Sequence, residues 1–310
     1  MADPKIVIIG AGMAGVACAR RLADAGLVPM VIDKGRSPGG RMSTRRTDGF
    51  TFDHGAQYFT ARSDAFRAVV EDALDAGAVA VWDDGSGAGE PHYVGLPGMS
   101  GPVKHMANGL DIRCGIEIQA VRSHRTGWVL EHDGGSFDAD IVISTAPVPQ
   151  TKTLVGAHGF AAALDQIQMA PCWALMLGFD APIDPGWTAR RTEDDLAWIA
   201  RNGTKPGRAG ESWVVHASPA WSAAHLELDK PDAADRLFDM LQTDLGPLPA
   251  PSYIAGHRWR YAMVTTPLGH SFLNQGTLYA GGDWALGPRV ECAFESGQAI
   301  ANAVLNESGI

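Results

Sequence analysis

The chain has 310 residues, 45% of them hydrophobic and 19% charged, which excludes a largely disordered protein and suits one large domain or two modest ones. The formal net charge of −10 excludes a general nucleic-acid binder, because such a protein carries a basic face. The four cysteines lie far apart and no cluster has metal-ligand spacing, so we predict no disulfide framework, no metal and a cytoplasmic location.

The first predicted elements are a strand, a tight turn and a helix. Lys5–Ile9 carries four successive β-branched residues after the lysine, which is typical of a buried parallel strand, and an alanine-rich helix follows to about Ala25. The apolar stretch 6–19 ends like a signal-peptide cleavage site, but it is too short to span a bilayer. We interpret it as strand and helix and predict no membrane segment. A second strand, Val28–Ile32, ends at Asp33.

The turn before the first helix carries a dinucleotide-binding motif. Gly10, Gly12 and Gly15 fit G-x-G-x-x-G, and Asp33 lies 18 residues after Gly15 at the end of the next strand. Gly10 permits the tight turn, Gly12 lets the backbone approach a diphosphate, and Gly15 permits close helix–strand packing. Asp33 can accept hydrogen bonds from ribose hydroxyls and would repel a 2′-phosphate. The motif therefore favours FAD or NAD over NADP.

The rest of the chain alternates between helical and extended patterns. Residues 82–102 are rich in glycine and proline and are predicted to be loop. Strands over 112–122, 127–132 and 137–144 are predicted to form an antiparallel meander. The other predicted elements are a helix over 63–76, strands over 172–179, 198–201 and 213–217, helices over 220–228 and 231–244, a strand over 277–280 and a helix over 292–305.

Three further segments favour FAD over NAD. Gly39-Gly40-Arg41 exposes backbone and offers an arginine to a phosphate. Gly282-Asp283 ends the last predicted strand with a carboxylate that can bind the ribityl hydroxyls of a flavin. The helix that starts near Glu291 can point its N-terminus at the pyrimidine carbonyl of the flavin. NAD needs no such distant C-terminal element.

These motifs together resemble the FAD-binding fold of the amine oxidase superfamily. More narrowly, Asp53–Ala61, His257–Ala262 and the short length resemble the bacterial renalases. The resemblance implies an α/β fold, with a Rossmann-type FAD-binding domain similar to glutathione reductase and amine oxidases. It also implies an inserted α+β substrate domain on a mixed or antiparallel sheet. We expect the FAD domain at 1–62, 100–150 and 268–310, and the substrate domain at 63–99 and 151–267.

The motifs and the resemblance together imply a set of FAD contacts. They fall on Gly10, Gly12, Met13, Ala14, Gly15, Asp33, Lys34, Gly40, Arg41, Gln57, Tyr58, Gly282, Asp283, Glu291 and Ala293. Cys292 does not match the cysteine that carries covalent flavin in monoamine oxidases, so we expect non-covalent FAD.

The resemblance also implies a reaction. Renalase-like proteins oxidise the 1,2-dihydro isomer of NAD(P)H, with the 1,6-dihydro isomer as a further candidate, by hydride transfer to flavin N5. The products are NAD(P)+ and, after reoxidation by O2, hydrogen peroxide. Because the donor becomes aromatic as it loses a hydride, no general base is required. The expected partners are a dinucleotide substrate and O2, with no nucleic acid or membrane, and the expected state is a monomer or weak dimer.

The candidates for the catalytic pocket are mostly aromatic. They are Tyr58, Trp259, Arg260, Tyr261 and Trp284. A nicotinamide ring could stack on an aromatic side chain, and Arg258 or Arg260 could meet its pyrophosphate. Alternatives stay open: Trp259 and Tyr261 as strand core, Arg260 paired with an acid, and His54 and His257 as structural hydrogen-bonding groups.

Other functions also stay open at this point. The main alternative is a flavin amine oxidase that acts on a small amine. Such enzymes often hold a lysine near flavin N5, whereas Lys152 and Lys205 match no family motif. A non-catalytic flavin-binding module is a third possibility. A carotenoid desaturase-like enzyme or a hydroxylase is disfavoured because the chain is short and lacks an apolar membrane-docking helix.

Overall fold

The computed structural model describes residues 3–47, 49–87, 89–125 and 127–308. Among these residues, every helix is too short or too polar to cross a membrane. The strands, numbered in chain order, are β1 (Ile6–Ile9), β2 (Met30–Asp33), β3 (Arg45–Thr47), β4 (Phe50–Phe52), β5 (Val79–Trp82), β6 (His92–Gly95), β7 (Asp111–Cys114), β8 (Ala120–His124), β9 (Gly127–His132), β10 (Gly135–Ala139), β11 (Ile141–Ser144), β12 (Gln168–Phe179), β13 (Ala189–Arg191), β14 (Leu196–Arg201), β15 (Glu211–Ala217), β16 (Tyr253–Thr266), β17 (Phe272–Gln275) and β18 (Leu278–Gly281). The helices are α1 (Met13–Asp24), α2 (Asp64–Asp75), α3 (Gly101–Met106), α4 (Val148–Val155), α5 (Ala161–Leu164), α6 (Pro219–Ala224), α7 (Lys230–Leu245), α8 (Asp283–Leu286) and α9 (Val290–Ser308), and two 3₁₀ turns span Gly156–His158 and Asn202–Thr204.

A six-stranded sheet in the order β17-β18-β11-β1-β2-β7 forms the first layer. Its pairs are parallel except β17 with β18. Successive side chains of β1 point to opposite faces: Ile6 and Ile8 join a core cluster with α1 and α9, and Val7 and Ile9 join a second cluster under β8–β10. The parallel sheet covered on both faces confirms the predicted Rossmann-type architecture.

Helices α1 and α9 pack tightly because small residues line their contact. A Cβ atom at Gly297 of α9 would collide with the carbonyl oxygen of Ala14 in α1. Ala17 and Cys18 of α1 are fully buried in the same cluster. The last described helix therefore lies directly against the helix that follows the glycine motif.

The second layer is an antiparallel five-stranded sheet in the order β13-β14-β15-β12-β16. One face packs against α6 and α7, with Trp173 and Trp213 fully buried there. On the other face Met176 and Val214 contact Phe52 of the β3–β4 hairpin. The sheet and its two helices confirm the predicted α+β part on an antiparallel sheet.

Two of the predicted elements were wrong. Residues 82–102 are not entirely loop, because β6 pairs with β5. The meander consists of β8, β9 and β10, whereas β7 and β11 belong to the parallel sheet. Gly115, at a φ of +78°, turns the chain out of β7. The N–H of Asp140 donates to the carbonyl of Lys5, which leads β11 alongside β1.

Candidate active site

The glycine motif leaves an open space in front of α1. Gly12 is the N-cap of α1, and no side chain caps the helix there. A Cβ at Gly12 would have no atom within 4 Å, whereas one at Gly10, whose φ is +109°, would lie 2.6 Å from the hydroxyl of Thr145. The first N–H groups of a helix have no partner within the helix. The free N–H groups at the start of α1 and the open space at Gly12 fit a diphosphate, and we call this place the diphosphate cradle.

Asp33 is fixed at the end of β2 by two backbone N–H groups. Its oxygens accept from Ala11 N at 2.6 Å and from Gly35 N at 2.6 Å. Each oxygen keeps a further lone pair, so the carboxylate is oriented and can still accept from a ribose. Lys34, by contrast, pairs with Glu117 at 3.2 Å on the surface.

Arg41 joins segments from distant parts of the chain. Its guanidinium donates to both oxygens of Asp283, at 2.8 and 2.5 Å, and to the carbonyl of Ala262 at 3.0 Å. Gly40 lies against Gly12, with 3.4 Å between a Cβ built on Gly40 and the Cα of Gly12. Arg41 and Asp283 thus come together beside the diphosphate cradle, and their charges are matched in a bidentate pair.

The turn after β4 meets β16 at the same place. Ala56 N donates to the carbonyl of Arg41 at 3.0 Å, and the indole N–H of Trp259 donates to the carbonyl of His54 at 2.7 Å. A Cβ at Gly55 would lie 3.4 Å from the Trp259 ring. We call this meeting of Arg41, Gly55 and Trp259 the junction.

Two histidines surround Trp259 at the junction. The ring centroids of His54 and His257 are 4.5 Å apart, and Trp259 lies 5.3 Å from His54 and 4.5 Å from His257. Burial, then the charge of Arg45, lowers the pKa of His54 to about 4; burial, then His54 and Arg45, lowers that of His257 to about 3. Both rings are neutral at pH 7. The buried Nδ1 of His257 has no hydrogen-bond partner among the described residues.

A buried charge cluster lies next to the turn that follows β4, and it consists of Asp53, Lys205 and Arg208. Arg208 donates to Asp53 at 2.6 and 2.9 Å, and Lys205 lies 3.4 Å from the same oxygen. All three side chains are fully buried. Burial alone would raise the pKa of Asp53, but the charges of Lys205 and Arg208 and the hydrogen bonds hold it below its ordinary value. The cluster therefore anchors the turn to the loop at 202–208.

Two of the predicted FAD contacts, Gln57 and Tyr58, make contacts with protein groups. The amide of Gln57 is engaged by protein groups: its Nε2 donates to the carbonyls of Asp53 and Gly55, and its Oε1 accepts from Lys205. The Tyr58 ring stacks on His92, with centroids 3.8 Å apart.

Two more predicted residues are held by pairs of their own. One carboxylate oxygen of Glu291 accepts from the backbone N–H groups of Arg62 and Ser63 at the start of α2. Arg260 pairs with Glu227 at 2.7 Å, as the alternative interpretation expected.

The other predicted residues lie on α1, on β16 and around the starts of α8 and α9. Met13, Ala14 and Gly15 are buried in the first turn of α1, Gly282 precedes α8, and Ala293 is half-buried in the first turn of α9. Trp284 is fully buried and donates to the carbonyl of Ala146 at 3.0 Å. Tyr261 is half-buried on β16.

Three charged groups at this site have no role in the sequence analysis. Lys205 is noted there only as a lysine that matches no family motif, and neither Arg45 nor Arg208 has a predicted role. None of the three lies in a recognisable pattern, because each acts on partners that the fold brings together. The only available signal for Lys205 was its place in a loop between two strands.

Two models of known protein families match the chain. Residues 8–73 match the model of an NAD(P)-binding Rossmann-like domain, and residues 75–305 match that of flavin containing amine oxidoreductase. The chain is 47% identical over 51 residues to a 4,4'-diapophytoene desaturase of Staphylococcus aureus, a match that spans 16% of this chain and 10% of the desaturase.

Solved structures share the fold at low identity. A putative protoporphyrinogen oxidase from Exiguobacterium sp. 255-15 superposes with a TM-score of 0.81 at 15% identity, over 99% of this chain and 100% of that one. Wild-type putrescine oxidase bound to putrescine superposes with a TM-score of 0.73 at 14% identity, over 98% and 99%. Because the amine oxidoreductase match covers most of the chain, the protein belongs to the flavin containing amine oxidoreductase family, and its cofactor is FAD.

Proposed function

We propose that the protein is an FAD-dependent oxidase of isomeric dihydro-NAD(P), with the 1,2-dihydro form as substrate and the 1,6-dihydro form as a further candidate. The products are NAD(P)+ and hydrogen peroxide. The proposal includes FAD held without a covalent bond, a dinucleotide and O2 as partners, and a cytoplasmic monomer or weak dimer. It also includes the division into an FAD domain at 1–62, 100–150 and 268–310 and a substrate domain at 63–99 and 151–267.

The charge around the junction carries the proposal. Three carboxylates are paired with arginines: Asp283 with Arg41, Asp53 with Arg208, and Glu227 with Arg260. Arg45 has only the hydroxyl of Tyr253 at 3.3 Å, and no carboxylate of the described ranges lies within ion-pair distance of it. An unpaired cation close to carboxylates whose charge is already matched favours an anionic dinucleotide over a protonated amine.

The residues of the chain would bind and orient the reactants. When bound, FAD supplies the two-electron acceptor. The start of α1 holds diphosphate charge, and Trp259, fixed by its hydrogen bond to His54, offers a flat surface to a nicotinamide ring. The neutral His54 and His257 can exchange hydrogen bonds with a carboxamide without adding charge. No residue has to remove a proton, because the donor ring becomes aromatic as it loses its hydride.

An amine oxidase acting on a small amine is the second candidate. The family description supports it. The ring of Trp259, flanked by His54 and His257, could also hold a small ammonium ion by cation–π attraction. The unpaired Arg45 opposes this candidate, since it would repel the ammonium.

Anaerobic reduction of the holoenzyme separates the two candidates. We expect 1,2-dihydro-NAD to abolish the visible flavin absorbance within seconds and putrescine to leave it unchanged. If putrescine abolishes the absorbance and 1,2-dihydro-NAD does not, the protein is an amine oxidase by activity and the proposed substrate is wrong.

The Arg45→Gln variant is a second, independent test of the charge of the substrate. It should raise the KM for dihydro-NAD by about tenfold, equivalent to ~1.4 kcal/mol. Arg46→Gln, a change of the same charge at the more exposed neighbouring position on β3, serves as control and should have little effect. An amine substrate would show the opposite sign, with tighter binding to the Arg45→Gln variant.

A further inference from the structure

A second cleft lies at Tyr58, the residue that follows Gln57 in the turn after β4. Its volume is about 400 Å³, within the range of small-molecule sites. Tyr58, Trp198 and His92 contribute aromatic surface, and Arg190 and Arg191 of β13 contribute positive charge. Asp84 also lines the cleft, and its carboxylate is paired with His92. None of the predicted FAD contacts other than Tyr58 lines it.

Arg191 is a cation without a carboxylate partner in this cleft. Its Nη2 donates to the hydroxyl of Tyr58 at 2.7 Å, and its Cζ lies 5.0 Å from the ring centroid of Trp198. Among the described residues no carboxylate lies within ion-pair distance of it. Its neighbour Arg190 instead donates to both oxygens of Asp244, at 2.9 and 2.7 Å. The guanidinium of Arg191 is therefore oriented by aromatic groups and keeps donors for an anion.

The aromatic groups of the cleft are held in place by their own contacts. Tyr58 and His92 stack with an interplanar angle of 19°, and His92 pairs with the buried carboxylate of Asp84 at 3.0 Å. The indole N–H of Trp198 donates to Oε1 of Gln57 at 3.3 Å. This last bond connects the cleft with the turn at the junction. A flat, preformed rim beside an oriented cation suits a ligand that joins an aromatic ring to a phosphate.

We propose that this cleft binds the adenosine diphosphate end of the dinucleotide substrate, with Arg191 on the diphosphate and the aromatic rim against the adenine. This rests on the proposed function for the identity of the complete ligand. It also moves the phosphate contact away from Arg258 and Arg260, because both of these point their guanidinium groups at Glu227.

Binding of ADP to the FAD-loaded protein tests the site without any turnover. Calorimetry should show that the wild type binds ADP and that Arg191→Gln raises the Kd at least tenfold. Arg190→Gln removes the same charge from the same cleft and should change the Kd less than twofold, because Arg190 is engaged by Asp244. Adenosine, which lacks phosphate, should bind more weakly than ADP and equally to all three proteins.

Flavin content and the melting temperature establish that the variants are folded, and Arg191→Lys adds a variant that keeps the charge but loses the planar donor pair. It should lie between the wild type and Arg191→Gln. Failure of the wild type to bind ADP, or equal ADP binding by wild type and Arg191→Gln, would overturn the proposal.

Steady-state kinetics separate this site from the proposed function. If dihydro-NAD reduces the flavin, Arg191→Gln should raise its KM at least tenfold. If dihydro-NAD reduces the flavin and the variant changes neither KM nor ADP binding, the site is wrong and the function stands. If dihydro-NAD fails to reduce the flavin but ADP binding depends on Arg191, the function is wrong and a nucleoside diphosphate site remains.

Discussion

Gly15 and Gly12, both in the glycine motif, differ in what a side chain would contact at each position. At Gly15 a Cβ would collide with the carbonyl oxygen of Gly10, so the residue is required for packing. At Gly12 a Cβ would meet no protein atom within 4 Å. The fold itself does not require glycine at position 12, and the open space there is explained by a ligand.

Gly12→Ala should therefore affect FAD binding much more than folding. We expect the free energy of unfolding of the apoprotein to fall by no more than about 1 kcal/mol, the cost of a poorer N-cap. FAD affinity should fall at least tenfold, because the methyl group would occupy the space in front of α1. Denaturant unfolding and FAD titration of the apoprotein measure the two quantities.

Gly89→Ala is the matched control for this change. A Cβ at Gly89 also meets no atom within 4 Å, and Gly89 is far from the glycine motif in the chain. Unchanged FAD affinity in Gly12→Ala would show that the diphosphate lies elsewhere.

Residues of the candidate site could be predicted from the sequence where their hydrogen-bond partners are close in the chain. Gly10, Gly12 and Asp33 belong to one strand–turn–helix–strand unit, and the backbone groups around Asp33 come from residues 11 and 35. The partner of Glu291 could not be predicted in the same way, because its oxygen accepts from Ser63, 228 residues away.

At the scale of elements, the buried charge cluster connects β4 to the loop before β15. Asp53 follows β4, and Lys205 and Arg208 follow the 3₁₀ turn at 202–204. Desolvation makes each buried charge expensive, and only mutual pairing offsets the cost. Burial is also the main cause that lowers the pKa of Lys205 from 10.5 to about 8.

This pKa predicts a rise of stability in mildly alkaline solution. Between pH 8 and 10.5 the unfolded chain binds more protons at Lys205 than the folded one, so the free energy of unfolding increases with pH across this window. The Lys205→Met variant should lack this part of the increase. Urea unfolding of both proteins from pH 7.5 to 10 measures the difference.

Lys152→Met provides the comparison, since Lys152 pairs with Asp165 at the surface and is 45% exposed. Its curve should run parallel to that of the wild type. If the Lys205→Met curve also runs parallel, the ammonium of Lys205 is not destabilised by burial.

Element types were predictable from pattern, but sheet membership was not. The pattern of 112–122 predicts one continuous strand in the meander, whereas the structure turns at Gly115 and leaves β7 in the parallel sheet. Strand β16 was not predicted as a 14-residue element, because His257, Arg258 and Arg260 interrupt its apolar pattern. Long-range pairing with β12 stabilises it instead.

At the scale of the molecule, the six-stranded sheet combines strands from widely separated parts of the chain. Strand β1 pairs with β11, and β11 pairs with β18. The chain has 37 glycines, and this arrangement explains some of them, since Gly12 and Gly40 meet at the cradle and Gly297 brings α9 against α1.

A variant that ends at Pro267 tests whether the last strands and helices complete this half of the molecule. It lacks β17, β18, α8 and α9, which leaves one edge of β11 unpaired and the buried face of α1 uncovered. We expect it to be insoluble or to bind no FAD, as measured by soluble yield and flavin content.

Full-length Asp283→Ala separates the loss of a contact from the loss of the sheet. It removes the partner of Arg41 and leaves every strand in place, so it should stay soluble and bind FAD at least tenfold more weakly. A soluble variant ending at Pro267 with wild-type FAD affinity would contradict the role given to the C-terminal elements.

The sheet order also has a consequence for synthesis on the ribosome. The edge of β11 that receives β18 stays open while residues 145–277 are being translated. At 5–20 residues per second this interval lasts roughly 7 to 27 seconds. The nascent chain can form the antiparallel sheet of β12–β16 during that time, but it acquires α9 against α1 only afterwards. We expect capture of the flavin to be a late event, because Gly282, Asp283 and α9 are translated after β12–β16.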